Sequence, residues 1–212
     1  MPADPIRILL VDDHAIARAG VCAMLEQCRD LRVAGEADSA SRALELASAG
    51  QFDVAVLDIS LPDQSGLELL PALRSAHPAL KVIMLSSHAE DMYGVRALRL
   101  GAAGYLNKNA PATVLQTAVR EVAGGATYLS ASLRERLALA ACAGAVAEHE
   151  QLSTREFDVM KRIASGQSLV DIGEALFLSP KTITTHRTRI LEKLGMSSNA
   201  QLTRYAIEHS LL

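Results

Sequence analysis

The stretch IRILLVDD, residues 6–13, runs through four consecutive apolar positions and ends on a pair of acids. Apolar residues in a row, rather than in alternation, mark a strand covered on both faces, as in a parallel sheet. The pattern returns down the chain. Val54-Ala55-Val56-Leu57 leads into Asp58, Val82-Ile83-Met84-Leu85 into Ser86, and Ala103-Gly104-Tyr105-Leu106 stands just before Lys108. Strands are expected over residues 6–11, 31–35, 52–57, 81–85 and 102–106, with helix-period segments over 16–27, 40–49, 66–76, 92–100 and 112–123 between and after them. Five strand–helix alternations imply a doubly wound α/β domain with a five-stranded parallel sheet and right-handed crossovers. Ligands of such sheets bind at the carboxyl ends of the strands. Asp12, Asp13, Asp58, Ser86 and Lys108 are therefore expected around one point.

Composition sets the outer bounds. The 212 residues are 50% apolar and only 3% aromatic, so the cores must be built from Ala, Leu, Val and Ile. Net charge is −3, unevenly spread: residues 151–212 hold 8 Lys+Arg against 6 Asp+Glu, the rest 13 against 18. An acidic front and a basic rear suggest two parts with different partners. The basic excess of the rear is too small to argue for nucleic acid by charge alone. Cys22, Cys28 and Cys142 show no metal or disulfide spacing, which fits a reducing compartment and small half-buried hydrophobes. The start lacks the basic and apolar regions of a signal peptide, and the longest apolar run, residues 137–147, is too short to span a bilayer. A soluble, cytoplasmic protein without membrane contact is expected.

Three carboxylates, a hydroxyl and an ammonium at one sheet edge suit a divalent cation and a phosphoryl group. Mg²⁺ binds through one or two carboxylates plus phosphate oxygens and water. Asp13 and Asp58, with Asp12 through water, supply such a set. Lys108 can pair with a phosphate oxygen on Asp58, and the Ser86 hydroxyl can hydrogen-bond another. Haloacid-type phosphatase chemistry also uses an aspartate nucleophile with Mg²⁺, but it wants a second aspartate two residues on, where this chain has Ser60. No acid is placed to activate water, so a long-lived phosphoaspartate is expected rather than an enzyme's turnover. Taken singly, each residue would read as a solvated loop side chain; in this order they do not. His14 invites a transition metal, but hard carboxylates and the lack of a second histidine nearby in sequence favour Mg²⁺. His77 and His88 read as surface loop residues.

Gly124-Gly125 closes the last helix of this domain, and residues 131–147 read as a helix fraying into a linker. The pattern then changes. Leu152-Ser153-Thr154-Arg155-Glu156-Phe157 holds a capping box with a hydrophobic staple around it. That helix stops at Gly166; Ser168 caps a second, Ser179-Pro180 opens a third, and a fourth runs from about Ser198 to His209. The expected division is 5–125 for the α/β domain, 126–149 for the linker and 150–212 for a small all-α domain of four helices. Residues 168–194 read as helix–turn–helix, whose second helix enters a DNA major groove. In that helix Ile183, Ile190, Leu191 and Leu194 form the buried stripe, with His186 and Arg187 near it. Lys181, Thr184, Thr185, Thr188 and Arg189 form the opposite face: threonines can touch base edges or thymine methyls, and the cations can reach phosphate or guanine.

These features resemble two known domains. The acid pair, Asp58 followed by Leu61-Pro62-Asp63 and Gly66, then Ser86, Tyr105 and Lys108, resemble the flavodoxin-like receiver domain of bacterial response regulators over about 120 residues. Leu152 to Glu156, Gly166, Ile172, Ser179, Thr182-Ile183, His186 and Lys193-Leu194-Gly195 resemble the LuxR-type helix–turn–helix. The combination is that of the NarL/FixJ family of two-component response regulators. The resemblance implies phosphorylation of Asp58 by a histidine kinase, Mg²⁺ held by Asp13, Asp58 and the Ser60 carbonyl, and a paired movement of Ser86 and Tyr105. It also implies a homodimer that binds double-stranded DNA to regulate transcription. Departures are Asn109, where many members have Pro, and Thr184 and Leu169-Val170, where members often carry cations; fewer phosphate contacts make DNA affinity lean on pairing two copies. Arg187 is expected on the scaffold side.

Overall fold

A computed structural model describes residues 4–87, 90–143, 148–176, 178–209 and 211–212, and the chain divides into two compact units after residue 142. His88 and residues 144–147, read above as surface loop and linker, lie outside the described residues. In the first unit β1 (Ile6–Val11), β2 (Leu31–Ala37), β3 (Val54–Leu57), β4 (Lys81–Ser86) and β5 (Gly104–Asn107) form one sheet in the order β2-β1-β3-β4-β5, parallel throughout. Between and after them run α1 (Ala15–Glu26), α2 (Ala40–Ala49), α3 (Gly66–Ala76), α4 (Glu90–Arg99) and α5 (Ala112–Ala123). The doubly wound expectation holds.

The consecutive apolar runs are explained by the two covered faces. Ile8, Leu10, Val54, Val56, Ile83 and Leu85 form one core with Val21 and Leu25 of α1 and Leu115, Val119 and Val122 of α5. Their sequence neighbours Leu9, Ala55, Leu57, Val82 and Met84 are equally buried and point to the other face, as strand alternation requires. β3 begins two residues later than expected. The Phe52 ring instead lies where side chains at Gly35 and Gly50 would stand, 2.9 and 2.8 Å from the Cβ each would add.

Beyond α5 the chain returns to the sheet edge: the Tyr128 N–H donates to the Ala103 carbonyl at 2.8 Å. It then enters α6 (Ala131–Ala143). The Glu90 carboxylate accepts from the Ser130 and Ser132 hydroxyls at 2.5 and 2.8 Å, and Leu133 is fully buried against Gly94. The start of α6 is thus fastened to α4.

The second unit opens with a 3₁₀ turn (Glu148–Gln151), then α7 (Thr154–Ala164), α8 (Leu169–Ala175), α9 (Pro180–Lys193) and α10 (Asn199–Glu208). The capping signals all materialise. Ser153 with Glu156 and Ser168 with Asp171 form full capping boxes, Ser179 and Ser198 cap α9 and α10, and Pro180 stands in the first turn of α9. Such caps are worth about 1 kcal/mol each. Leu152 and Phe157, the staple pair, are buried, as are Ile183, Ile190, Leu191 and Leu194 of the α9 stripe.

Candidate functional site

The register of the sheet assembles the site. Val11 pairs with Leu57, Leu57 with Met84 and Ser86 with Asn107, so β1, β3, β4 and β5 all end on one edge. Backbone bonds just beyond the strands hold the loops: Asp58 N–H to Val11 O at 2.9 Å, Asp12 N–H to Ala37 O at 3.0 Å, and Lys108 N–H to Ser86 O at 2.8 Å. The Lys108 ammonium consequently lies 2.7 Å from both Asp58 Oδ2 and Asp12 Oδ2. Those two acids are 3% and 2% exposed, so this ion triad is almost dry.

Burial pushes the Asp58 carboxyl above the ordinary range; hydrogen bonding and charge from Lys108, and the Ser60 N–H, offset only part of it. For Lys108 burial pulls downward, but its bonds to Asp12 and Asp58 outweigh it and hold the ammonium above its usual value. Asp13 completes the cluster. Its Oδ1 is buried and lies 2.7 Å from Nδ1 of His14, whose ring is largely exposed. Ligand atoms of Asp12, Asp13, His14 and Asp58 all lie within 4.8 Å of one another. Three carboxylates against one ammonium leave a formal excess of two negative charges. That excess, carried on carboxylate oxygens gathered within 4.8 Å, fits a small hard dication.

Behind the acids, Ser86 and Tyr105 are fully buried. The Tyr105 ring is turned inward and its hydroxyl shares a hydrogen bond with Ser86; burial drives the phenol far above its ordinary value. Ser60 itself is exposed at the rim. In the loop where Asn109 replaces the common Pro, the Asn107 side chain accepts the Asn109 N–H at 2.8 Å and sets the turn.

Of the supporting residues, Asp63 and Gly66 belonged to the motif quoted above, while Arg18 carried no local signal. Arg18 donates to the Asp12 carbonyl at 2.6 Å and pairs with Glu36. Asp63 accepts the Ala40 and Ser41 N–H groups, both at 2.9 Å, and so ties the loop after β3 to the first turn of α2. A Cβ at Gly66 would lie 1.9 Å from the Asp58 carbonyl oxygen, so only glycine lets α3 begin there.

In the second unit Lys181, Thr184, Thr185, Thr188 and Arg189 are all exposed on one side of α9. Arg187 is held away by Asn199 Oδ1 at 2.7 Å, on the scaffold side as expected. His186 is half-buried with Nδ1 unbonded, and burial lowers its pKa, which favours the neutral ring. Lys193 donates to Glu156 Oε2 at 2.6 Å and pins α9 to α7. Burial opposes ionisation of Glu156, yet the Lys193 and Ser153 bonds hold its carboxyl below the ordinary value.

Residues 8–120 match the family described as response regulator receiver domain, and residues 150–206 the family described as bacterial regulatory proteins, luxR family. The response regulator GacA of Pseudomonas viridiflava is 37% identical over 209 residues, covering 98% of each chain. The response regulator UvrY of Escherichia coli K12 is 35% identical over 208 residues, covering 97% of this chain and 95% of that one. The crystal structure of the response regulator ChrA, of a heme-sensing two-component system, is 30% identical with a TM-score of 0.54 over 98% of this chain and 99% of that one. The two family matches, in this order and with relatives alike along the whole chain, place the protein in the NarL/FixJ family of two-component response regulators, transcription regulators that join a receiver to a LuxR-type DNA-binding domain.

Proposed function

We propose that Asp58 is the phosphoacceptor, that a sensor histidine kinase is the donor, and that the phosphoryl group switches dimerisation and sequence-specific binding of double-stranded DNA through α9. The observation that carries this reading is the Lys108 ammonium bridging Asp58 and Asp12 in a nearly dry pocket. In the transfer the phosphohistidine N–P bond breaks, its electron pair stays on the imidazole, and an Asp58 oxygen forms the new O–P bond. Lys108 is then placed to exchange a carboxylate oxygen for a phosphoryl oxygen without leaving the site. A Mg²⁺ ion held by Asp12, Asp13, Asp58 and the Ser60 carbonyl would neutralise charge on the transferring group. Ser86 can trade its bond with Tyr105 for one to the phosphoryl group, which couples the site to β5 and α4.

Moving a two-state protein from mostly off to mostly on takes about 5.5 kcal/mol of differential stabilisation. Bonds from the phosphoryl group to Lys108 and Ser86, at roughly 1.5–3 kcal/mol each for charged partners, contribute to it by their surplus over the bonds to Asp58 and Tyr105 that they replace. Residues 5–125 act as receiver, 150–212 as DNA-binding domain, and 126–149 as the connection between them, its first part fastened to the receiver through Tyr128, Ser130 and Leu133. Lys181, Thr184, Thr185, Thr188 and Arg189 contact the duplex, and two copies read a two-fold site. None of the described helices is long and apolar enough to cross a membrane, which is compatible with the cytoplasmic setting such a kinase partner needs. Acetyl phosphate with Mg²⁺ should label the wild-type chain and leave Asp58→Asn unlabelled; undiminished labelling of that variant would refute the assignment.

A further inference from the structure

The solvent face of α9 carries three threonines, and each hydroxyl already has a partner on its own helix. Thr184 Oγ1 donates to the Pro180 carbonyl at 2.9 Å, Thr185 Oγ1 to Lys181 O at 3.1 Å, and Thr188 Oγ1 to Thr184 O at 3.1 Å. A hydroxyl has one proton and two lone pairs. With the proton committed to the helix, the oxygen can only accept from an outside group, and the other branch of the side chain is a methyl. Threonine in a helix divides between two settings of its first torsion because its Oγ1 can bond a carbonyl one turn back, and all three threonines here take a setting that makes that bond.

The face therefore offers methyls and acceptors between the cations Lys181 and Arg189, while Arg187 is engaged with Asn199. In a major groove the complements of that surface are the thymine C5-methyl and the amino groups of adenine and cytosine. Guanine N7 and O6 ask for donors, which these hydroxyls do not supply.

We propose that Thr184, Thr185 and Thr188 set operator preference by apolar contact with thymine methyls rather than by donating hydrogen bonds. This rests on α9 being the DNA-reading helix. It goes further by naming the chemistry of the readout.

The test uses the full chain and duplexes it selects from random DNA. In the preferred duplex each thymine is replaced in turn by uracil, which removes only the methyl. Wild-type affinity should fall about fourfold at each contacted thymine, the equivalent of one buried methyl group. Thr→Val at the three positions keeps a methyl and removes the hydroxyl, and should retain the thymine preference. Thr→Ser keeps the hydroxyl, removes the methyl, and should abolish it. Equal binding of thymine and uracil duplexes by the wild-type chain, or loss of preference in the valine rather than the serine variants, would overturn the methyl readout and leave DNA binding intact. Failure to bind any duplex at any salt would overturn the DNA-reading role itself, and this inference with it.

Discussion

Gly66→Ala probes how closely α3 is built against the backbone that follows β3. The added Cβ would lie 1.9 Å from the Asp58 carbonyl oxygen, 2.9 Å from its carbonyl carbon and 3.2 Å from Ile59 Cα. Ordinary contact begins near 3.4 Å, so either the Asp58 carbonyl retreats by 3.4 − 1.9 = 1.5 Å or the first turn of α3 lifts. The obstructing atoms are backbone and cannot swing aside. The expected cost is that of overpacking, about 1–3 kcal/mol. For a chain of this length that lowers Tm by roughly 2–12 °C. Moving Asp58 also strains its 2.7 Å bond to Lys108. Phosphoryl uptake from acetyl phosphate should slow by on the order of tenfold to a hundredfold, the penalty of a misplacement near 1 Å. Calorimetric melting and initial labelling rates measure both effects. Gly20→Ala is the control: nothing lies within 4 Å of a Cβ there, and in the middle of α1 the change should stabilise by about 0.5–1 kcal/mol. A Gly66→Ala chain that melts and labels like the wild type would refute the reasoning.

Lys193→Met leaves the Glu156 carboxylate buried with one cation fewer and should cost about 1–3 kcal/mol in chemical denaturation, the lower part because Lys193 is itself 40% exposed. Because the folded pKa of Glu156 is depressed, its contribution is present above its ordinary value of 4.5 and is lost as pH falls through the lower, folded value. The variant should therefore lose part of the acid-side slope of the stability–pH curve, and an unchanged slope counts against the pair. Asp13→Asn removes one of the three carboxylate charges of the cluster and should weaken Mg²⁺ binding on the order of tenfold by titration calorimetry; unaltered affinity places the ion elsewhere. Glu90→Ala removes the acceptor shared by Ser130 and Ser132 and should speed amide exchange at Leu133, whose N–H rests on Ser130 Oγ at 3.0 Å. Exchange as slow as in the wild type would show that the Leu133 packing alone holds α6.

Features with a local cause were legible in the sequence. Continuous apolar runs gave β1 its bounds because both faces of that strand are covered, and serine caps gave α7 to α10 theirs because the unbonded N–H groups of a helix start need a partner. The meeting of Asp12, Asp58, Ser86 and Lys108 followed from the parallel sheet and the carboxyl-edge rule. β5 runs Gly104–Asn107, later than expected, because residues 102 and 103 serve as its approach, with Ala103 bonding Val82 O before regular pairing starts. Residues held by distant partners were not legible. Arg18 reaches Asp12 and Glu36, Lys193 reaches Glu156, and Glu90 reaches Ser130, across separations on which no periodicity reports. The start of α6 was equally opaque: one leucine and two serines fasten it, against an Ala-rich background with little amphipathic contrast.

The most direct test of the central claim is chemical mapping of the phosphoryl group. Borohydride reduction of the chain labelled by its kinase or by acetyl phosphate converts an aspartyl phosphate to homoserine, which peptide sequencing by mass spectrometry locates. Homoserine at position 58 alone is the predicted result. Homoserine at Asp12, Asp13 or Asp63, or at no aspartate of a chain that has taken up label, would contradict the account.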